Sequence, residues 1–394
     1  RGMIHVCKGG RLCLVGWSAA AATLTTLLMG ALSDRVGKRK IFICGGYILW
    51  GLSTAAFGLI TVDNAARLFP AQAVAAAAIM VVILDCVMTF FGSTANDAAF
   101  NAYITDSIDP GNRGRTESVL AVLPLLSMLI IFGAFDGMTQ RGEWQKFFAI
   151  FGGLVTLTGV VSIFLIKEPE LKPGNEPYFK NLVYGLRPEV MRENPALYLS
   201  FAAFCVFSVA VQVFFPYLII YIQNYLKIDG YAIVLGVVLI TASVVSVASG
   251  RIIDRVGKLR FVLPAALVMF CGLVGMYFAR TMAAVIIAGC VMMSGYMLVT
   301  AVLSGVIRDN TPEGKAGHFQ GIRMIFGVML PMIIGPAIGA AVIRGSDSTY
   351  IDLGVVKTVP TPGIFLAAAA ALLLILPPVM MLRKRSEAKE DKYV

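Results

Sequence analysis

The chain has 394 residues, of which 58% are hydrophobic and 14% are charged. Soluble domains are about 45–50% apolar and about a quarter charged, so this composition excludes a soluble enzyme, a disordered protein and a collagen-like fibre. It indicates an integral membrane protein. The net charge of +10 would suggest nucleic-acid binding in a soluble protein. Here the basic residues lie in short connectors, where the positive-inside rule explains them, and we expect no nucleic-acid partner.

Apolar runs of about 20 residues, the length needed to cross a bilayer, follow one another along the chain. Their residues do not alternate in polarity, which argues against the strands of an outer-membrane barrel. We therefore predict an all-α membrane protein with eleven transmembrane helices. The runs cover residues 12–32, 41–61, 71–95, 116–138, 147–166, 196–222, 231–251, 261–279, 282–305, 320–343 and 363–382.

Lysine and arginine are distributed unequally between the connectors. If the first run crosses from outside to inside, the inner connectors and the C-terminal tail hold 23 of these residues, and the outer connectors hold seven. Positive residues concentrate on the cytoplasmic side of membrane proteins. We therefore predict a multi-pass protein of the cell (cytoplasmic) membrane with its C-terminus in the cytoplasm.

Two inner connectors carry the same motif. The connector after the first run reads GALSDRVGKRK from Gly30, and the connector after the seventh reads GRIIDRVGKLR from Gly250. They share G-x-x-x-D-R-V-G-K at an offset of 220 residues. A looser pair, DPGNRGR from Asp109 and TPEGKAG from Thr311, follows later in each half. Repetition at this scale is typical of a duplicated transporter.

Each residue type of the motif has a physical use at the membrane surface. The first glycine allows two helices to approach closely, and the second allows a tight turn between helices. The aspartate can bind the positive end of a neighbouring helix or an arginine. In the two copies these residues are Gly30, Gly37 and Asp34, and Gly250, Gly257 and Asp254.

These connectors resemble the signature loop of the major facilitator superfamily, which lies between helices 2 and 3 and again between helices 8 and 9. The resemblance covers essentially the whole chain and implies two pseudo-symmetric six-helix bundles. In that family the loop helps to hold the two halves together in the outward-facing state. The resemblance therefore implies gating residues at Gly30, Asp34, Arg35, Gly37, Lys38 and Arg39, with Asp254 and Arg255 as weaker counterparts.

The family has twelve helices, whereas the runs here number eleven. In the second half the first run starts 58 residues before Asp254, so the counterpart of that run would lie upstream of Arg1. We therefore expect helix 1 to be missing. The predicted parts are an N-terminal bundle of helices 2–6 at 1–166, a cytoplasmic linker at 167–195, and a C-terminal bundle of helices 7–12 with its tail at 196–394.

Ionisable side chains deep in a membrane span are functional candidates. Asp85 lies about 14 residues into the third run, and at 100° per residue Thr89, Ser93 and Asn96 fall close to the same face. This polar stripe is predicted to carry a proton or a sodium ion, or to hydrogen-bond a polar solute, and we expect the coupling proton on Asp85. The alternative is an aspartate satisfied by a neighbouring helix.

Several polar residues lie nearer the inner ends of the runs. Asp97, Asn101 and Asp106 are predicted partners of basic connector residues such as Arg39 or Arg113. We assign Asp97 to gating, together with Arg323 near the inner end of the tenth run.

The sixth run carries aromatic and amide side chains that suit a sugar ring. Phe214, Tyr217, Tyr221 and Tyr225 recur at helical spacing, and Gln212 lies deeper in the run. For Tyr221 and Tyr225 an aromatic belt at the membrane interface is the alternative. Tyr296 on the ninth run is a further candidate ligand. The predicted solute-binding set is thus Asp85, Thr89, Asn96, Gln212, Tyr217 and Tyr296.

We expect a secondary transporter for a small polar solute, with a sugar or glycoside favoured, driven by proton symport. Melibiose-permease-like symporters also use acids on helix 2, which this chain lacks, so we expect a proton rather than sodium. The alternatives are an efflux antiporter for amphipathic compounds and a non-transporting receptor on the same scaffold.

Other features point away from enzyme chemistry. The sequence contains no ATP-binding G-x-x-x-x-G-K-[ST] loop and no Ser/His/Asp arrangement. The seven cysteines show no metal-like spacing. We expect no catalytic residue, cofactor or metal, a solvated His318, and a monomer whose partners are the solute, the coupling ion and the bilayer.

Overall fold

The computed structural model describes residues 10–168, 184–228, 231–345, 348–352 and 355–390. In chain order the α-helices are α1 Gly10–Val36, α2 Lys40–Ala56, α3 Val62–Leu68, α4 Ala73–Gly92, α5 Asn101–Ser107, α6 Arg113–Leu120, α7 Leu123–Ile130, α8 Asp136–Gln140, α9 Trp144–Leu165, α10 Pro188–Glu193, α11 Pro195–Phe214, α12 Leu218–Ile220, α13 Tyr231–Val256, α14 Lys258–Phe278, α15 Met282–Asp309, α16 Ala316–Met324, α17 Leu330–Ile343, α18 Gly363–Leu373 and α19 Leu376–Glu390. Two short strands, β1 Thr349–Asp352 and β2 Val355–Thr358, pair antiparallel.

Ten helical spans within the described residues are long and apolar enough to cross a membrane. They coincide with the second to eleventh apolar runs, so the protein is a multi-pass membrane protein. The spans are Lys40–Leu59, Pro70–Ser107, Pro110–Phe135, Trp144–Leu165, Pro195–Tyr225, Tyr231–Val256, Lys258–Phe278, Met282–Asp309, Ala316–Ile343 and Gly363–Ala388.

Helix α1 has 27 residues and occupies the position of the first run. It is not one of the ten spans, and the side chains before residue 20 lie outside the described part. The count of eleven crossings and the loss of helix 1 therefore remain predictions.

The chain forms two compact units, and their boundaries differ from those of the sequence halves. The first unit contains the described residues of Arg1–Ile108, Ile131–Met191 and Thr311–Ile325. The second contains those of Asp109–Ile130, Arg192–Asn310 and Phe326–Val394. Each unit thus includes a short stretch from the opposite half of the sequence, and each stretch begins with one copy of the looser repeat.

Several long spans contain π turns, in which the backbone bonds widen from i→i+4 to i→i+5. One of these turns, Ser93–Phe100, connects α4 to α5. Another, Ile325–Met329, connects α16 to α17. Such turns are frequent at functional sites. They also change the faces on which later residues lie, because 100° per residue no longer applies.

Candidate functional site

The aspartate of the first motif is hydrogen-bonded to the start of helix α16. The backbone N–H of Gly317 donates to Oδ1 of Asp34 at 3.0 Å, and the N–H of His318 donates to Oδ2 at 2.8 Å. A helix N-terminus carries free N–H groups and a partial positive charge, so a carboxylate stabilises it. Asp34 therefore connects the first motif to a helix from the second half of the sequence. We call this contact the first clamp.

The expectation that His318 is solvated is wrong. Its ring Nδ1 contacts Oδ2 of Asp34, and only 12% of its side chain is exposed. The sequence places His318 beside Lys315 in a basic connector, but the start of α16 turns its ring toward the buried carboxylate.

Arg39 binds the carboxylate of Asp34 that forms the first clamp. Its side chain is fully buried, and its guanidinium pairs with Asp34, Ser33 and Asp106, with distances of 3.0 and 2.9 Å to Oδ2 of Asp106. Its backbone N–H donates to Glu168. Burial on its own would lower the pKa of Arg39, but the carboxylates of Asp34 and Asp106 raise it above its ordinary value. The guanidinium is therefore charged, and it holds two carboxylates in fixed positions.

The second motif makes the equivalent contact in the second unit. Oδ1 of Asp254 accepts the backbone N–H of Gly114, and Oδ2 accepts that of Arg115, both at 2.9 Å. These residues begin helix α6, which belongs to the first half of the sequence. Lys258 then donates to Oδ2 of Asp309 at 2.7 Å. We call the contact of Asp254 with α6 the second clamp.

The two clamps are reciprocal. Each motif binds the start of a helix from the other half of the sequence, and a cation at or just after the end of each motif, Lys258 or Arg39, pairs with a carboxylate at the end of a later helix. This exchange explains why residues 109–130 join the second unit and residues 311–325 join the first. The two copies of the motif thus share their contacts as well as their amino-acid sequence.

The first glycine of each motif lies against the helix that its aspartate binds. A Cβ atom on Gly30 would collide with the backbone of Gly317. A Cβ on Gly250 would lie 3.0 Å from Cα of Arg115 and 3.2 Å from Cβ of Ser118. The absence of a side chain therefore sets the distance at which the aspartate reaches the helix N-terminus.

The second glycine of each motif makes the turn. Gly37 has φ of +67° and Gly257 has φ of +94°, in the region that side-chain-bearing residues rarely adopt. The basic residues Arg35, Lys38 and Arg255, which the resemblance assigns to gating, are exposed beside these turns.

A buried ion pair near the second clamp was not among the candidates from sequence. Nε of Arg308 pairs with Oε1 of Glu117, and their side chains are 2% and 5% exposed. Glu117 lies at the start of the fourth apolar run and Arg308 just beyond the ninth. Their position at the ends of apolar runs was the feature of the sequence from which this pair could have been proposed.

Replacing Glu117 with glutamine should destabilise the protein by about 3 kcal/mol, because removing one partner of a buried ion pair leaves the other charge without its counterpart. The measurement is thermal unfolding in detergent. The double variant Glu117→Gln/Arg308→Gln should recover part of this loss. A single variant as stable as the parent protein would contradict a structural role for the pair.

A polar cluster lies at the π turn between α4 and α5. The Tyr47 hydroxyl donates to Oδ1 of Asn96 at 3.0 Å, and Nδ2 of Asn96 donates to Oδ1 of Asp97 at 3.0 Å. Nη1 of Arg323 donates to Oδ1 of Asn101 at 3.4 Å, and its charge also acts on Asp97. We call these five residues the π-turn cluster.

The predicted partners of the inner carboxylates are confirmed for Asp106, which pairs with Arg39. The predicted pairing of Asp97 with a connector cation such as Arg113 is not observed. Arg113 pairs with Asp309 at 3.0 Å, and Asp97 lies in the π-turn cluster. The π turn places Asp97 beside a span from the second half, which the connector sequence does not indicate.

The predicted polar stripe on the third run is interrupted. Asp85 and Thr89 are half-buried on α4, and Asp85 has no hydrogen-bond or ion-pair partner among the described residues. Asn96 lies beyond Ser93, where the π turn begins. Because the turn widens there, a face calculated at 100° per residue does not continue from Asp85 to Asn96.

The aromatic side chains of the sixth run pack within the second unit. The Tyr217 hydroxyl donates to the carbonyl of Pro336 at 3.1 Å. Tyr221 is fully buried, stacked on Tyr225 with ring centroids 5.2 Å apart and edge-on to Phe365 at 5.1 Å. The aromatic-belt alternative is therefore wrong for Tyr221, whereas Tyr225 is 38% exposed.

The two remaining candidates are half-buried. A Cβ on Gly335 would lie 3.0 Å from Cα of Gln212, so the helix carrying Gln212 lies close to α17, and the Gln212 amide has no hydrogen-bond partner among the described residues. Tyr296 stacks on Phe207 with ring centroids 5.8 Å apart.

The described residues contain no group of three His, Cys, Asp or Glu side chains placed to hold a metal ion. What the chain offers instead is a pair of charged contacts at helix ends and a carboxylate within a membrane span. The first can break and reform as helices move, and the second can take up or release a proton.

Comparison with known proteins assigns a family. Residues 12–336 match the Major Facilitator Superfamily. A Candida glabrata protein, the multidrug transporter QDR2, is 26% identical over 198 residues, which cover 47% of this chain and 33% of that protein. The match thus spans about a third of the length of that relative.

Solved structures share the fold. The human organic anion transporter MFSD10 (TETRAN) aligns over 93% of this chain and 82% of its own, with 16% identity and a TM-score of 0.64. The proton:xylose symporter XylE aligns over 94% of this chain and 85% of its own, with 14% identity and a TM-score of 0.65.

Proposed function

Because the chain belongs to the major facilitator superfamily, we propose that it is a secondary transporter that moves a small organic solute by alternating access rather than an enzyme. The reciprocal clamps are the observation that carries this proposal. In each clamp one carboxylate accepts two backbone N–H groups at a helix start. Such contacts can open without dismantling the apolar helix packing, as a gate requires.

The orientation follows from the distribution of basic residues. With 23 lysines and arginines on one side and seven on the other, the proposed cytoplasmic side carries both motifs and the C-terminus. Both clamps then act at the cytoplasmic face of the cell membrane.

We assign the coupling ion to Asp97 and propose that it is a proton. Asp97 is a carboxylate within a membrane span, hydrogen-bonded to Asn96, and such a group can take up and release a proton. A proton neutralises Asp97 and weakens its attraction to Arg323, which belongs to a span in the other half of the sequence. Protonation would thereby alter an interaction between residues from the two halves of the sequence, both of which lie in the first unit. Asp85, which has no partner among the described residues, is the second candidate.

The solute class we favour is an amphipathic organic compound exported in exchange for protons. The aromatic residues that suited a sugar ring are engaged in helix packing, since Tyr217 bonds to Pro336 and Tyr221 packs on Phe365. The similarity to a multidrug transporter agrees with this choice. Sugar symport is the second candidate, and the half-buried Gln212 amide, without a partner among the described residues, favours it.

Proteoliposomes containing the full chain test the proposal. A pH gradient should drive movement of ethidium, an amphipathic cation, against its concentration gradient. Labelled xylose is the probe for the second candidate, and its uptake with protons would favour symport. Binding of either probe without flux or counterflow would contradict transport and identify a receptor.

A further inference from the structure

A pocket of about 860 Å³ lies beside the second motif in the second unit. It is formed by the start of α14, the end of α15 and the polar end of α19. Its volume falls within the range of about 300–1,000 Å³ that is usual for ligand-binding clefts. Under the proposed orientation it lies at the cytoplasmic ends of these helices.

The pocket has more positive than negative side chains. Two of its three carboxylates are already engaged, since Asp254 accepts the N–H groups of α6, and Asp309 pairs with Lys258 and Arg113. The carboxylates that line the pocket therefore do not neutralise all of its lysine and arginine side chains. The cations are Arg255, Lys258, Arg260, Arg383 and Arg385, and the carboxylates are Asp254, Asp309 and Glu387.

Arg383 provides an independent indication of a missing acceptor. Its Nη2 donates to the carbonyl of Arg260 at 2.8 Å, but its Nε is buried and has no hydrogen-bond partner among the residues that the structure describes. Buried donors are almost always satisfied, because an unpaired donor loses its hydration without compensation. Arg383 lines the pocket, but its Nε is not exposed to the pocket in this arrangement, so a bound anionic oxygen would accept from Nε only after the side chain rotates.

One wall of the pocket is apolar. Ala196, Val306 and Leu382 line it at the ends of membrane-spanning helices, and Val306 and Leu382 are buried. A free phosphate ion would gain nothing from such a wall, whereas the glycerol and acyl part of a lipid would. Basic pockets between helices on the cytoplasmic side suit anionic lipid headgroups for this reason.

We propose that this pocket binds the phosphate group of an anionic phospholipid, with Arg383 and Arg260 as its principal ligands. The bound phosphate also lies beside Lys258, next to the second clamp. Lipid composition would therefore act on the second clamp, whose Asp254 lines the same pocket.

The test uses the purified full chain in detergent, titrated with phosphatidylglycerol or phosphatidylcholine and followed by native mass spectrometry. Phosphatidylglycerol should bind at least about tenfold more tightly. Arg383→Gln should reduce this affinity about tenfold, the change expected from one lost charge-assisted hydrogen bond. Lys384→Gln removes the same charge from an adjacent position that does not line the pocket, and it should change the affinity less than twofold.

Three outcomes would overturn the proposal. Equal affinity for the two lipids would exclude recognition of charge, and an equal loss in Lys384→Gln would show non-specific attraction. Complete competition by millimolar inorganic phosphate would assign the site to a soluble anion. Thermal unfolding of each variant identifies misfolding, and Arg260→Gln provides a second variant. The binding is measured without solute or flux, so its failure would leave the transport proposal intact.

Discussion

Asp34→Asn is expected to lower the transport rate by more than tenfold while the affinity for solute stays within about twofold. The asparagine preserves the shape of Asp34 but removes the charge that attracts the helix start, His318 and Arg39. A hydrogen bond to a charged group contributes about 1.5–3 kcal/mol. Weakening the clamp by about 2–3 kcal/mol would reduce the clamped population relative to the open one by roughly 30- to 150-fold.

The measurements for this variant are flux in proteoliposomes and solute binding by calorimetry. Asp254→Asn is the matched variant, since its carboxylate accepts two backbone N–H groups and pairs with no arginine side chain among the described residues. We expect a smaller loss of rate. Arg192→Gln removes an exposed charge outside both clamps and is the control for net charge. A weaker solute affinity in Asp34→Asn, with an unchanged transport rate at saturating solute, would contradict a gating role.

Asp97→Asn is expected to abolish solute movement against a gradient while leaving counterflow exchange measurable. Asparagine keeps the hydrogen bond with Asn96 but cannot take up a proton, so flux loses its driving force. Exchange persists because it requires movement of the loaded carrier and no net proton transfer. The concentration of solute on the two sides should then become equal even under an imposed pH gradient.

Asp85→Asn provides the comparison for this result. The two aspartates belong to the same long span, Pro70–Ser107, but only Asp97 lies in the π-turn cluster. If Asp97 carries the proton, Asp85→Asn should retain gradient-driven movement. Loss of coupling in Asp85→Asn, with coupling intact in Asp97→Asn, would reverse the assignment.

The repeated motif predicted which types of contact the clamps make, but it did not predict which helices they bind. Glycine at a close approach, glycine at a turn and an aspartate for a helix end follow from the chemistry of those residues. The particular helix that each aspartate binds depends on which later segment folds back to it. Gly114 and Gly317 are 140 and 283 residues from their acceptors, Asp254 and Asp34. No local pattern encodes such separations.

The candidate solute site shows where periodicity fails. The stripe from Asp85 to Asn96 assumed a regular helix, and the π turn at Ser93 changes the face of every later residue. Aromatic spacing on the sixth run likewise identified the residues but not their contacts, since Tyr221 packs on Phe365 from α18.

The sequence by itself determined the membrane class, the positions of the apolar spans and the duplicated motif, because hydropathy, charge and repetition are local properties of the chain. Only the tertiary structure decided that the two clamps cross between the halves, that His318 and Arg39 are buried with Asp34, and that Asp97 lies within the influence of Arg323. These are contacts between residues far apart in the chain, and their energies exist only once the helices have packed.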